Sequence, residues 1–369
     1  MDRLPYIDTG KHYPEKEFFL TDIAEVSYLN LNSDNDDFLY NGSIRDITAN
    51  TIVVVDYSLG DILFFSKDGT PKSFFNRRGN GPGEYLIARR IFYDEIADDV
   101  FVIDINKPYI RVYSLYGKHK RDIPLPQGVM VNNDIVSFDD HSFFFYDAAL
   151  EFRRAKAENN KELSVSDFLL PFYRISKEDG KVLDYLELHA PPIFMGLFRN
   201  GSPVEGLITR LTMCTEGALI CNPETDSIFL YRKDHSITPV LSKTPSVATS
   251  TLMTYINNCI DVGRYQFVEI YTVRFEEGAF PFPAKYYMRD KGTGEVFHPK
   301  LLLPDYKGYD LIISPSLRNR NFENTYFFEL DLLELKQAYA ENRLSGKLKE
   351  LVGTLKEGDN NVFVMASFK

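Results

Sequence analysis

Two stretches of this chain superimpose without a gap. "IVVVDYSLGDILFFSKDGTPK" begins at Ile52 and "VFVIDINKPYIRVYSLYGKHK" at Val100, an offset of 48 residues. The overlay matches Asp56 with Asp104, Ser66 with Ser114 and Gly69 with Gly117. Each copy reads as a strand, a short polar loop, a second strand and a turn ending in glycine. A third copy, "ALICNPETDSIFLYRKDHSITPV", lies at an offset of 118 from the second and carries Asn222 in place of the aspartate. A fourth, from Phe172, keeps the strand–turn–strand half, and a fifth, from Tyr286, is looser. A further short strand precedes the clear copies, in "SIRDITAN" and "RRIFYDEIADD". The unit is therefore four strands with a period near 50 residues.

Four strands repeated at that period predict a β-propeller. One twisted four-stranded sheet cannot bury both of its faces alone, whereas radial packing of several sheets buries them all. Five recognisable units and a degenerate one in "LIISPSLRNRNFENTYFFEL" predict six blades of four antiparallel strands across residues 18–369, after an extended segment over 1–17. Residues 148–168 read as a polar, partly helical insertion. Residues 330–358 carry leucines at helical spacing and predict one or two helices closed by Gly358. The strand after them, "NNVFVMASF", is expected to close the ring by pairing with strands from the other end of the chain.

Composition supports an all-β globular fold: 29 Phe and 23 Tyr with no Trp favour pleated surfaces. A net charge of −11 speaks against general nucleic-acid binding, which needs a cationic footprint. Cys214, Cys221 and Cys259 form no metal or disulfide pattern. A hairpin turning at Glu216–Gly217 sets Cys214 opposite Leu219 and Cys221 opposite Thr212, which makes the thiols diagonal neighbours rather than partners. No apolar run spans a membrane, and the start lacks the basic and apolar regions of a secretory signal. The chain is thus expected to be either cytosolic or the remainder after a leader.

The segments "RRGNGPGEY" and "VFVIDINKPYIRVYSLYGK" resemble the NHL-like pattern of a glycine-rich linker, a strand ending in Asp and an I-x-V-[YF]-x-x-x-G strand. With "YPEKEFFLTDIAEVSYLNLN" near the start and "EGDNNVFVMASFK" at the end, the chain is similar to the six-bladed β-propeller family common in Bacteroidetes. The resemblance spans the whole chain. It implies an extracytoplasmic setting in the cell envelope, as a periplasmic protein or outer-membrane lipoprotein. Membrane attachment would come only through a lipid anchor absent from this chain. The resemblance names no ligand.

The glycine-rich stretch "NRRGNGPGEYLIARR", residues 76–90, invites comparison with a phosphate loop. Gly83 is followed by Glu-Tyr rather than Lys-Ser/Thr, and Glu84 stands where a dinucleotide fingerprint needs glycine. The stretch reads instead as a blade-to-blade linker. In an up-and-down blade, that linker shares a face with the loop between strands 2 and 3. Asp56, Tyr57, Asp104, Asn106, Lys107, Tyr109, Asn222 and Thr225 then lie with Arg77, Arg78 and Asn80. The inner strands start on the same face and bring Arg45, Arg89, Arg90 and Arg210 to the channel mouth. Converging arginines favour an anionic group. The alternative is that they pair with neighbouring aspartates and lock the blades together.

Catalytic signatures are weak. The Asp-box of sialidases is absent, the six histidines form no metal pair, and no G-x-S-x-G elbow occurs. His119 and His235 are expected in strand 3–4 turns on the opposite face. The clusters at 34–37, 98–99 and 139–140 read as turn carboxylates. The expectation is a non-enzymatic propeller binding a protein, peptide or glycan, with no cofactor, although a channel Ca2+ would leave no linear trace. The rival is a metal-dependent, lactonase-like hydrolase with acids lining the channel.

Overall fold

The computed structural model describes residues 3–33, 35–104, 107–126, 134–147, 170–188, 198–199, 202–203, 210–250, 253–273, 283–313 and 324–369. The 148–168 insertion, Asn106 and His189 lie outside the described residues. Blade 1 comprises Gly42–Ile47, Thr51–Asp56, Ile62–Ser66 and Pro71–Phe75, joined antiparallel in that order. Blade 2 repeats this with Ala88–Asp94, Asp99–Asp104, Tyr109–Tyr113 and His119–Pro124. Blade 3 runs from Asp134–Ser137 to Val182–Leu186, blade 4 from Arg210–Cys214 to Ile237–Thr244, and blade 5 from Thr254–Val262 to Val296–Leu302. The sixth sheet contains Thr325–Leu330, Val362–Phe368 and Ala24–Asn30. The fold is the expected six-bladed propeller.

The hydrophobic pattern shows why the sheets stand radially. In "IVVVD", Ile52 and Val54 pack toward blade 6 with Leu29, Phe327 and Phe363. Val53 and Val55 pack toward blade 2 with Ile91, Val100, Val102 and Tyr113. Alternate side chains point to opposite faces of a strand, so an uninterrupted apolar run requires cover on both sides. Comparable clusters fill the spaces between blades 2 and 3, 3 and 4, 4 and 5, and 5 and 6. Each fully buried Val, Ile, Leu or Phe contributes about 1.5–3 kcal/mol.

The two ends of the chain meet in blade 6. Ala24–Asn30 pairs antiparallel with Val362–Phe368, from Ala24 opposite Phe368 to Asn30 opposite Val362. Before reaching that position the N-terminal segment straps two other blades. Tyr6–Asp8 adds a parallel strand to the outer edge of blade 4, and Glu15–Phe19 does the same on blade 5. The helices Leu332–Ala340 and Gly346–Thr354 occupy the connection between Thr325–Leu330 and Val362–Phe368. Asp331 caps the first of them by accepting the Glu334 N–H at 2.9 Å. Leu335, Ala338, Leu348 and Val352 are buried against the blade 5–6 core.

A repeated irregularity shapes the outer edge. In blades 1 to 4 the register between the third and fourth strands shifts once, leaving Lys72, Lys120, Leu183 and Val240 as extra residues. A bulge increases local twist. The turn just before each bulge lies against the preceding blade in blades 1 to 3, where the repeated glycine becomes obligatory. Gly69 has φ +87°, and a Cβ there would stand 2.3 Å from the Asn30 carbonyl oxygen of blade 6. Gly117 has φ +73° and would meet the Phe75 side chain of blade 1 at 2.6 Å. Gly180 has φ +74° and would meet the Pro124 carbonyl oxygen of blade 2 at 2.0 Å.

The blade 4 hairpin corrects one expected register. Cys214 lies opposite Gly217, Cys221 opposite Arg210, and Thr212 opposite Leu219, so the turn falls on Thr215–Glu216. The positive φ of Gly217, +155°, and the Tyr231 oxygen 2.1 Å from its virtual Cβ place that glycine in the strand rather than in the turn. All three thiols are free; Cys221 and Cys259 are buried, and Cys214 is half-buried.

Gly294 supplies a control for the glycine contacts, because it has φ +76° with no atom within 4 Å of a virtual Cβ. Gly294→Ala should cost about 1–2 kcal/mol from left-handed strain alone. Gly69→Ala and Gly180→Ala should each cost at least about 1 kcal/mol more, because the added methyl overpacks a blade interface. Urea denaturation of the three variants measures the difference.

Candidate functional site

The repeated geometry of blades 1 and 2 starts at the matched aspartates. Asp56, 3 % exposed, accepts the Asn41 N–H at 2.7 Å, and also bonds the backbone of Ser58 and Leu59 and the Ser58 hydroxyl. Burial raises its pKa, and these bonds outweigh it and hold the carboxyl below its ordinary value. Asp104 is buried and accepts the Leu86 N–H at 2.6 Å, which ties the incoming linker to the end of the second strand. Both aspartates fasten the start of an inner strand, and both are spent in doing so.

The glycine-rich linker closes on itself. The Gly79 N–H donates to the Tyr85 carbonyl at 2.9 Å, and the Tyr85 N–H to the Arg77 carbonyl at 3.0 Å. The Gly81 N–H donates to Glu84 Oε2 at 2.7 Å. A Cβ on Gly79 would stand 2.1 Å from that same oxygen. The linker thus holds its own carboxylate where a loop of this kind would hold an anion. Arg77 Nε donates to the Gly117 carbonyl at 2.8 Å, and Arg78 Nη1 to the Ser58 carbonyl at 3.0 Å. Tyr85 and Tyr113 reach across with bonds to the Gly60 and Gly83 carbonyls.

His119 departs from the expected separation of faces. Its ring packs on Tyr113 and lies 3.3 Å from a virtual Cβ on Gly83, inside the linker. The twist of the outer strands brings the turn of blade 2 beside the linker that precedes it. His119 also bonds Asp122 at 2.8 Å.

The inner strands position the remaining arginines. Register shifts make Arg45, Arg89 and Asn257 extra residues in blades 1, 2 and 5. A bulge on an edge strand re-aims the side chain it carries. The Arg45 guanidinium lies 5.0 Å from the Tyr57 ring centroid. Arg89 is exposed and makes no hydrogen bond or ion pair among the described residues. Arg90 pairs with Asp134 of blade 3, which also accepts the Leu211 N–H of blade 4 at 2.7 Å. Arg210 is half-buried near Tyr255, and its Nε has no hydrogen-bond partner. Tyr109 accepts from Arg111 Nη2 at 2.6 Å and lies beneath its guanidinium.

The arginines therefore divide. Arg77, Arg78 and Arg90 join parts of the fold, while Arg89 and Arg210 stand on the inner strands of blades 2 and 4 without a carboxylate ion pair among the described residues, and Arg45 stands on that of blade 1 over the Tyr57 ring. Neighbouring inner strands are stitched by side chains throughout. Asp46 accepts the Tyr93 N–H at 2.7 Å, and Asn258 accepts the Thr212 hydroxyl at 2.8 Å.

Residues 2–179 match the model of the family DUF5128, described as a 6-bladed beta-propeller. The chain is a six-bladed β-propeller. It is similar, at 18 % identity and a TM-score of 0.63, to a candidate exported protein of Bacteroides fragilis, with 99 % of each chain covered. A member of the DUF4221 family from Bacteroides vulgatus aligns at 10 % identity and a TM-score of 0.52, covering 94 % of this chain and 97 % of that one. At these identities the likeness speaks to fold. No curated protein matches the sequence.

The opposite mouth of this propeller holds a feature that sequence reasoning missed. Blades 1 to 4 enclose a cavity of about 420 Å3 at the 1–2 turns. Asp46, Asp94, Glu95, Asp139 and Asp140 line it, together with Phe92, Phe101, Phe138, Lys177 and Lys233. Several of these carboxylates serve the turns: Asp94 accepts the Ile96 N–H, and Asp139 accepts the His141 N–H and pairs with Arg174. Lys177 has no sequence signal, since Lys67, Lys233 and Lys291 follow the third strands of their blades in the same way. Among the described residues no three His, Cys, Asp or Glu side chains form a group able to hold a metal ion. No helix among them is long and apolar enough to cross a membrane.

The Arg90–Asp134 pair and Arg89 make opposite predictions. Asp134→Ala leaves the Leu211 N–H and a half-buried guanidinium without their acceptor, and should cost about 2–4 kcal/mol. Arg89→Ala should change stability by less than about 0.5 kcal/mol, as expected of an exposed residue with no partner. Chemical denaturation of both variants distinguishes the fold-bearing arginine site from the free one.

Proposed function

We propose that this propeller is a binding protein of the cell envelope, acting outside the cytoplasm and holding an anionic group of a protein, peptide or glycan at its linker-face mouth. The observation that carries the reading is Arg89: exposed, presented by a bulge at the channel edge, and without an ion-pair partner. Arg45 and Arg210 add positive charge from two other inner strands, in a chain whose net charge is −11. Local positive charge in an acidic protein is a focused attractor for anions, and arginine forks match carboxylates and phosphates. The location is supported by the structural similarity to a candidate exported protein of Bacteroides fragilis.

Glycan and peptide arrays, each containing acidic and neutral members, test the reading. Binding should favour acidic members and weaken as salt rises, and Arg89→Ala should lower affinity about tenfold, a loss of about 1.4 kcal/mol. Binding that is indifferent to Arg89, Arg45 and Arg210 would remove the linker face as the site. If no acidic member binds, the anionic reading is wrong.

A further inference from the structure

Lys177 is the buried amine of the turn-face cavity. It follows the third strand of blade 3 and is 9 % exposed, yet it reaches the channel side of the blade. Its Nζ donates to Ser137 Oγ at 2.8 Å, at the end of the inner strand. The ammonium also faces the rings of Phe143 at 5.2 Å and Phe101 at 5.7 Å. No carboxylate among the described residues forms an ion pair with it. Lys243 shows the contrast: it is buried as deeply but pairs with Asp226 at 3.1 Å.

An unpaired amine in such surroundings is costly to keep charged. Burial lowers the Lys177 pKa, and the carboxylates of Asp94, Asp139, Asp140 and Asp46 oppose that shift without cancelling it. The other charged groups at hand are Glu95 and Lys233 in the cavity wall and Arg121, which bonds the Lys177 carbonyl at 3.2 Å. A lysine whose charged form is disfavoured by burial more readily presents its amine as a nucleophile. The cavity, at about 420 Å3, lies in the range of small-molecule sites.

We propose that Lys177 captures small uncharged aldehydes at the floor of this cavity by forming an imine. The Nζ lone pair attacks the carbonyl carbon, the carbonyl π pair moves to oxygen, and proton transfer gives a carbinolamine. Loss of the hydroxyl as water then forms the C=N bond, so one water leaves and nothing is oxidised or reduced. Ser137 Oγ, already bonded to the amine, is positioned to relay the proton. The class of carbonyl follows from the lining: five carboxylates against two lysines disfavour an anionic aldehyde. This site is on the mouth opposite the arginines and stands independently of the binding role proposed for them.

The test uses the whole chain, treated at neutral pH with propionaldehyde or with glyoxylate in the presence of cyanoborohydride, which traps an imine as a stable secondary amine. Peptide mass mapping over time then gives a labelling rate for each lysine. The internal reference is Lys181, whose side chain is 81 % exposed. With propionaldehyde, Lys177 should label at least about tenfold faster than Lys181. Glyoxylate should erase that preference, and Ser137→Ala should slow Lys177 alone. Lys177→Met assigns the labelled peptide, and the wild-type rates decide the matter even if that variant fails to fold. Labelling of Lys177 at or below the Lys181 rate overturns the proposal, because the amine would then be a buried structural group.

Discussion

Everything in this molecule depends on sheets that are apolar on both faces. A four-stranded sheet with Ile52 and Val54 on one side and Val53 and Val55 on the other has no stable solvent-facing surface. Placing such sheets around an axis covers every face with the next sheet, but only if the ring closes. Closure is made by joining the chain's extremes, with Ala24–Asn30 zipped along Val362–Phe368. The parallel strands Tyr6–Asp8 and Glu15–Phe19 extend this attachment over blades 4 and 5. A strand pair of distant sequence positions costs loop entropy once and then holds the whole ring cooperatively.

Twist is the second constraint, and it explains which glycines repeat. The extra residue in each outer hairpin of blades 1 to 4 lies just after the turn between the third and fourth strands and increases the twist there. In blades 1 to 3 that turn sets Gly69, Gly117 and Gly180 against the neighbouring blade, two of them within 2.3 Å of a carbonyl oxygen as measured from a virtual Cβ. It also erases the clean division into two faces at the rim. His119 therefore touches the linker at Gly83, and Arg77 bonds the Gly117 carbonyl.

The architecture was legible in the sequence because burial on both faces writes itself as repeated apolar runs. "IVVVD" and "VFVID" needed no partner to be recognised, and their aspartates could be matched by eye. Their role could not. Asp56 and Asp104 are locked by backbone N–H groups of the preceding linker, a contact between segments that sequence alone does not bring together. The partner of Arg90 is Asp134, 44 residues away on the next blade. The Cys214–Cys221 hairpin was misread by two residues because both candidate turns contain Glu216, and strand alternation cannot separate registers that differ by two. Lys177 was hidden for a related reason. Its local sequence resembles that of Lys67, and only the cavity between blades makes it different.

The glycine-rich linker shows how a binding motif can be imitated by a fold requirement. Phosphate loops use free amides, and this linker has amides in abundance, yet Glu84 takes the Gly81 N–H and fills the space above Gly79. The flanking Arg77 and Arg78 are drawn to carbonyls of blades 2 and 1. What the stretch leaves available is at its far end, where the bulge at Arg89 interrupts the register with Asp99–Asp104. Arginines on three inner strands and a carboxylate-lined cavity at the 1–2 turns thus coexist in a molecule that is acidic as a whole. Charges separated by more than about 8 Å are largely screened at physiological salt, so local charge rather than the sum sets the field at each place. A net charge summed over the chain therefore says little about either place.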